Sequence, residues 1–345
     1  MKILGRGQYF VVSSYLQQLQ SYFKQVNLPA IQLLSTSDLP LLALSQPHLY
    51  LGHESIAQVN AYACEAVPSE SDLIRYLAFE RDALTHGSLG IAALLSADLD
   101  EAIGIIRKYI RTRYSGIDID MVSIGGKVQI TLNVPKTNLR SDRLTVLSTL
   151  LMFANTLRSA LQLDSDDYQI DISVIFPAPE HWQDIHDRTA VVFNQGGNKI
   201  EFPDSFLNKR LLFSNQDESH QASEICREEL KAVKDYSEIS ELVRLKLSQT
   251  SLPLPNVDVI ASSLNISART LRRKLEVVGL QYIDLKLEVM NDKALALLSS
   301  SSASLQQLSS ELGYSDYKSF ARAFKKTNGV TPSHYRRSPK KTLFT

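Results

Sequence analysis

Arg269, Arg272 and Arg273 stand at i, i+3 and i+4, a spacing that gathers them on one side of a helix. Leu271, Leu275 and Val278 recur at i, i+4 and i+7 on another side. A guanidinium is planar and always charged, and its fork of donors matches the two acceptors of guanine in a major groove. Further along, Lys318, Arg322 and Lys325 face away from Phe320 and Phe324 in the same manner. Lys325, Lys326, Arg336 and Arg337 suit phosphate, where a cation gives affinity without sequence information. What these groups offer together is recognition of a DNA duplex.

Such side chains need a rigid mount, and the flanking sequence supplies one twice. Ile260, Ala261 and Leu264 form an apolar edge; Asn265 tolerates the left-handed conformation of a sharp turn; Ile266 plugs the corner; Ser267 is placed to cap the next helix. Leu305, Leu308 and Leu312 repeat the edge, Gly313 the turn, Tyr314 the plug and Ser315 the cap. Gly329 ends the second basic helix, and Thr331-Pro332 starts a short final one. Leu271 and Phe320, at matching places, are 49 residues apart. Between the units, Ile283–Leu298 reads as one helix with Leu287, Ala294 and Leu298 as its apolar points. Two helix-turn-helix units on one helix can place two recognition helices about 34 Å apart, one DNA turn.

Charge is distributed to match. The 345 residues hold 37 basic and 37 acidic side chains, net zero. From residue 236 onward, 16 lysines and arginines stand against 9 acids, net +7, which leaves −7 on the remainder. A basic reader on an acidic body confines DNA contact to one part of the chain.

The body reads as α+β. Helices are expected over Tyr9 to Val26, over 70–86, from Asp98 to Tyr114 behind the capping pattern Asp98-Leu-Asp-Glu101, over 141–162, and from Asp217 to Val233. Two alternating runs around Gly125-Gly126, within 117–134, predict a β-hairpin. Tyr168–Phe176 and Lys199–Phe202 read as strands, and the stretch up to Ser55 as irregular. The boundary is expected at Lys234-Asp235: a sensing or dimerising domain over 1–234, then an all-α domain of two helix-turn-helix units over 235–345.

Other chemistry finds less support. His181 and His186 are five apart and share no helical face, so no metal is expected, nor any cofactor. Trp182 reads as a packing anchor before a ligand platform. His48, His53 and Glu54, beside Tyr50, are polar groups that could orient a small effector; the simpler reading is a solvated loop. Gly196-Gly197-Asn198 is a turn, and no phosphate-binding loop or nucleophile elbow occurs. Cys64 and Cys226 lack disulfide or zinc spacing and read as buried thiols. No signal peptide and no uncharged apolar run of bilayer length is evident, which predicts a cytoplasmic protein with no membrane partner.

Leu312-Gly-Tyr-Ser-Asp316, Ser319-Phe-Ala-Arg-Ala-Phe-Lys325 and Gly329-Val-Thr-Pro-Ser-His-Tyr-Arg336 resemble the signature of AraC/XylS-type transcription regulators, and Ser267–Leu275 resembles their first recognition helix. The resemblance covers about 236–338. It implies Arg269, Arg272, Arg273, Tyr317, Lys318, Ala321 and Arg322 as groove-facing residues, with double-stranded DNA and RNA polymerase as partners. Met290 departs from the family's usual Arg, Thr327 from a frequent Trp, and Leu308-Ser309 from Ile-Ala. Gly87–Ile91, Leu99–Ile103, Tyr109, Ile175–Pro179, Val192-Phe193, Ile200–Phe202 and Cys226 resemble the arabinose-binding-like sensor domain of one subgroup, which implies a small effector there.

Three classes of function follow. The leading one is an effector-controlled regulator. The second is an effector-independent DNA binder whose body only forms a homodimer. The third is a DNA-modifying enzyme acting through a reactive cysteine, for which neither cysteine has an electropositive setting.

Overall fold

A computed structural model describes residues 3–4, 7, 9–46, 49–80, 83–163, 170–182, 189–277, 280–300, 303–328 and 330–337. The chain divides into two units, Ile3–Val233 and Lys234 onward. The division falls inside one helix, α7 (Gln216–Gln249).

In the first unit a small sheet has the order β1-β3-β2, from β1 (Ile3–Leu4), β2 (Phe10–Val12) and β3 (Tyr50–Gly52). The segment from Tyr9 to Val26 is therefore not all helix. Phe10, Val11 and Val12 are consecutive buried residues, as a strand buried on both faces requires, and helix α1 begins only at Ser14 (Ser14–Gln25). Helix α2 (His53–Ala66) follows β3 directly, so His53 and Glu54 open a helix and do not lie in an irregular loop. Helix α3 (Glu70–Phe79) is capped by Ser69; α4 (Ser88–Leu94) is separate from it, after a single 3-10 turn at Ala83–His86. The single helix expected over 70–86 is thus interrupted. In α5 (Leu99–Tyr109), Asp98 accepts the Glu101 N–H at 2.9 Å while Glu101 accepts the Ala97 N–H at 2.7 Å, close to the reciprocal cap the sequence predicts.

The second sheet has the order β4-β5-β8-β6-β7. Strands β4 (Asp118–Ile124) and β5 (Lys127–Asn133) form the expected hairpin, with Gly125 and Gly126 both at positive φ, as a two-residue turn between twisted strands demands. Strands β8 (Lys199–Pro203) and β6 (Asp171–Ser173) continue it antiparallel, and the short β7 (Ala190–Val192) pairs parallel with β6. Helix α6 (Leu139–Leu161) runs through the core with Leu144, Leu147, Leu150, Leu151, Ala154 and Leu157 buried. By length and composition it could cross a bilayer, but Arg143 and Arg158 bound its uncharged run, in keeping with the sequence reading, and half of its most apolar stretch is buried within the unit. Arg143 of α6 holds Glu70 of α3 through two bonds of 2.7 and 2.6 Å.

Helix α7 (Gln216–Gln249) does not stop at Val233 as expected. No Gly or Pro interrupts it, and Ile239, Val243 and Leu247 continue an i, i+4, i+8 stripe. Its first part is held by Glu229, which pairs with Arg113 and accepts from the Ser88 hydroxyl at 3.0 Å.

The second unit is helical: α8 (Val257–Ser263), α9 (Ala268–Val277), α10 (Tyr282–Ser300), α11 (Leu305–Glu311), α12 (Tyr317–Asn328) and α13 (Pro332–Arg337). Two cores form within it. Val243, Leu247, Ile260, Leu271, Leu275 and Leu285 make one, and Ala294, Leu298, Leu308, Leu312, Phe320 and Phe324 the other. Met290, where the family pattern has Arg, packs against both. Leu287, expected to point inward, is 48% exposed.

Candidate nucleic-acid interface and an internal cavity

Both helix-turn-helix units are built by the same bonds. The Ile266 N–H donates to the Ala261 carbonyl and the Tyr314 N–H to that of Ser309, each at 3.0 Å. The turn residues one step earlier, Asn265 and Gly313, both have positive φ, 56° and 86°. At Gly313 a side chain would be strained in that conformation and would also meet Pro253 at 3.2 Å.

The units then diverge by one residue. In the first, the Ser267 hydroxyl accepts the Thr270 N–H at 3.1 Å and caps α9 as expected. In the second, Ser315 is not the cap. Asp316 accepts the Ser319 N–H at 2.8 Å, and the Ser319 hydroxyl donates to its other oxygen at 2.8 Å. The second turn is one residue longer, so matching positions are 48 apart before it and 49 after it. The Ser319 backbone N–H, ahead of its hydroxyl, holds the exposed Asp316 carboxyl below its ordinary pKa.

With Leu271 and Leu275 fully buried, Arg269, Arg272, Arg273 and Lys274 of α9 are all exposed. On α12, Lys318, Arg322 and Lys325 are exposed opposite Phe320 and Phe324, whose rings lie edge-on at 5.7 Å. Ala321 is half-buried. Tyr317 is turned inward: its hydroxyl shares a 2.9 Å hydrogen bond with Ser333 and its ring packs on Phe320. Arg336 is half-buried with Nε and Nη2 enclosed, which leaves Nη1 for the phosphate contact expected of it. The Lys326 side chain, Val278 and Gly329 lie outside the described residues.

The other candidate residues belong to the first unit, and the structure does not gather them. His48 and His186 lie outside the described residues. Trp182 packs edge-on against Phe193 at 5.1 Å, beside the core. Glu54 is exposed. Of the described members of the set only His53 lines a partly open cavity of about 200 Å³, walled mainly by α1, α2, α4, α5, α6 and the hairpin strands. Its walls are mostly apolar, including Leu89, Ile103, Ile106, Ile119 and Ile130. Sequence reasoning missed Tyr114, Asn60, Thr145 and Ser148 on the same walls, because they come from separate elements with no local pattern.

Cys64 and Cys226 are free and buried. Burial pushes both thiols up, away from the thiolate that a nucleophile needs.

The model of a helix-turn-helix domain family matches residues 260–338. That of the arabinose-binding domain of AraC transcription regulators, N-terminal, matches residues 28–211, a little over half of the chain. The ornithine utilization regulator of Pseudomonas aeruginosa is 26% identical over 283 residues, covering 81% of this chain and 82% of its own length. The HTH-type transcriptional regulator VqsM of the same organism is 26% identical over 269 residues, 73% of this chain and 80% of its own. Among solved structures, the transcriptional regulator CdpR from Pseudomonas aeruginosa aligns over 93% of this chain and 97% of its own, at 17% identity and a TM-score of 0.45.

Proposed function

The chain belongs to the AraC family of DNA-binding transcription regulators, and on that premise we propose that it reads an operator through two successive major grooves under the control of a small effector. The observation that carries the reading is the pair of capped helices, α9 and α12, each with a buried apolar stripe and an exposed cationic face. Arg269, Arg272 and Arg273 supply most of the base readout, each good bidentate pair contributing about 1–3 kcal/mol of discrimination. Lys318, Arg322, Lys325 and Lys326 act more through phosphate, and Ala321 offers a methyl to the groove. Tyr317, bonded to Ser333, supports α12 from within.

The cavity in the first unit favours effector control over a body that only dimerises. An effector regulates by binding the DNA-competent arrangement better, and a tenfold change in affinity needs about 1.4 kcal/mol of that difference. RNA polymerase as partner, a homodimer and a cytoplasmic location belong to the same reading.

Footprinting of the full chain on the DNA beside its own gene tests it. Protection in two blocks one helical turn apart on one face is the expected result. Protection without that period, or DNA affinity unmoved by every ligand that binds the protein, would count against groove reading and effector control respectively.

A further inference from the structure

The cavity of about 200 Å³ holds charged side chains at its wall, but they are engaged with the protein. Arg107 Nε donates to the Ile119 carbonyl at 3.3 Å. Asp142 accepts from the Thr137 N–H at 3.1 and 3.2 Å and from its hydroxyl at 2.6 Å. Those partners are neutral and the charges persist, so an anion could pair only at the exposed Arg107 and a cation only at Asp142, while an ionised group held elsewhere among the apolar walls is strongly unfavourable.

Several donors at the wall have no such engagement, the Thr149 and Thr156 hydroxyls among them, and two of these, on His53 and Tyr114, stand close together in the chain's packing. His53 is 7% exposed, and its Nδ1 accepts the Tyr9 N–H at 3.2 Å, so the proton sits on Nε2. Among the described residues Nε2 has no acceptor, and the Tyr114 hydroxyl has no hydrogen-bond partner. Both stand beside strand β2, the His53 backbone N–H donating to the Tyr9 carbonyl at 2.9 Å and Tyr114 bridging Val11, which brings them to the same part of the cavity wall. Burial pushes His53 below its ordinary pKa, so it offers a neutral N–H and no cation. The nearby Asp142 carboxylate further disfavours an anion.

We propose that this cavity binds an uncharged, mostly hydrocarbon molecule carrying one acceptor oxygen, such as a ketone or lactone, which His53 Nε2–H and the Tyr114 hydroxyl hold. The proposal rests on the effector reading and names its chemical class. By volume the ligand has on the order of eight non-hydrogen atoms, since a cavity of about 150 Å³ accommodates benzene.

Calorimetry on the full chain tests this with three probes of matched size: 2-heptanone, hexanoate and n-heptylamine. Saturable binding of 2-heptanone is expected, with neither charged probe binding. Tyr114→Phe and His53→Gln should each weaken it about five- to tenfold, the loss of one hydrogen bond. Ser148→Leu, which fills the cavity, should abolish binding while the melting temperature holds or rises, an outcome that misfolding cannot imitate. Equal or tighter binding of hexanoate or heptylamine would overturn the assignment, as would undiminished binding to Ser148→Leu. DNA affinity measured alongside separates the two readings. Binding of 2-heptanone with no change in DNA affinity supports the ligand class and defeats the effector reading. A change in DNA affinity caused by a charged probe, with 2-heptanone inert, does the reverse.

Discussion

Asn291 of the linking helix and Asn328 at the end of the second recognition helix hydrogen-bond each other in both directions. Asn328 Nδ2 donates to Asn291 Oδ1 at 2.7 Å, and Asn291 Nδ2 donates back at 3.4 Å. Asn328 also donates to the Phe324 carbonyl at 3.0 Å. Thr327, where the family pattern often has Trp, is adjacent, so this polar clasp helps to set how α12 lies on α10. Asn328→Ala leaves the half-buried Asn291 amide unpaired and should cost about 1 kcal/mol. Footprinting should then show the half-site read by α12 weakening more than the half-site read by α9. Equal loss at both would contradict a local role.

Glu70 and Arg143 join α3 to α6 with both side chains nearly buried, at 12% and 10% exposure. Arg143 Nη1 also approaches the Pro177 carbonyl at 3.4 Å. Glu70→Ala strands a guanidinium in the core, which in buried pairs costs about 3–5 kcal/mol. Thermal unfolding should fall sharply. The double replacement Glu70→Leu with Arg143→Met should recover much of the loss, because no unpaired charge remains. A double variant no more stable than Glu70→Ala would mean that the pair's geometry, not its charge, matters most.

The elements legible in the sequence were those with a sustained period. Val128, Ile130 and Leu132 alternate around a Gly-Gly turn, and Leu271 with Leu275 marks the inner face of α9. Helix α2 escaped because its buried face has only Ile56 and Val59 as large apolar residues among His53, Ser55, Ala57, Ala63 and Cys64, whose small or polar side chains blur an apolar stripe. Strands β1, β2 and β3 span two or three residues, too few for alternation to register. Ser315 was expected to cap by analogy with Ser267, and a one-residue longer turn passes that role to Asp316. The cationic faces were readable because each lies on one helix. The cavity was not, because many elements spread from Val11 to Leu211 contribute to it, and only tertiary packing brings them together.

His53 gives the first unit a pH dependence of definite sign. Burial lowers its pKa in the folded chain, against the raising influences of Glu54, Asp142 and the Tyr9 backbone contact; Tyr114 faces the same end of the cavity. The unfolded chain binds the proton first, below about pH 6.5, so stability is lost as pH falls from there toward the folded value. Above that window the group contributes no slope. Urea midpoints between pH 8 and pH 5 should show the fall, and His53→Gln should flatten it. An unchanged slope in that variant would assign the dependence to other groups.

Arg272 and Lys325 are both exposed cations on recognition helices, yet their removal should read differently. Arg272 is exposed on α9 to one side of the buried Leu271–Leu275 stripe, with Arg269 and Arg273 on the same cationic face. Arg272→Ala should weaken specific binding by about 1–3 kcal/mol and relax preference at one or two base pairs, because a bidentate base contact is lost. Lys325 stands one turn beyond Arg322 and two beyond Lys318, toward the end of α12, where a charge meets the backbone more readily than a base edge. Lys325→Ala should weaken binding to every sequence alike and lower the salt slope by about one phosphate contact. Affinities of the wild type and both variants for a randomised DNA pool, at two salt concentrations, separate base readout from charge. A sequence-selective loss in Lys325→Ala, or a uniform one in Arg272→Ala, would exchange the two roles.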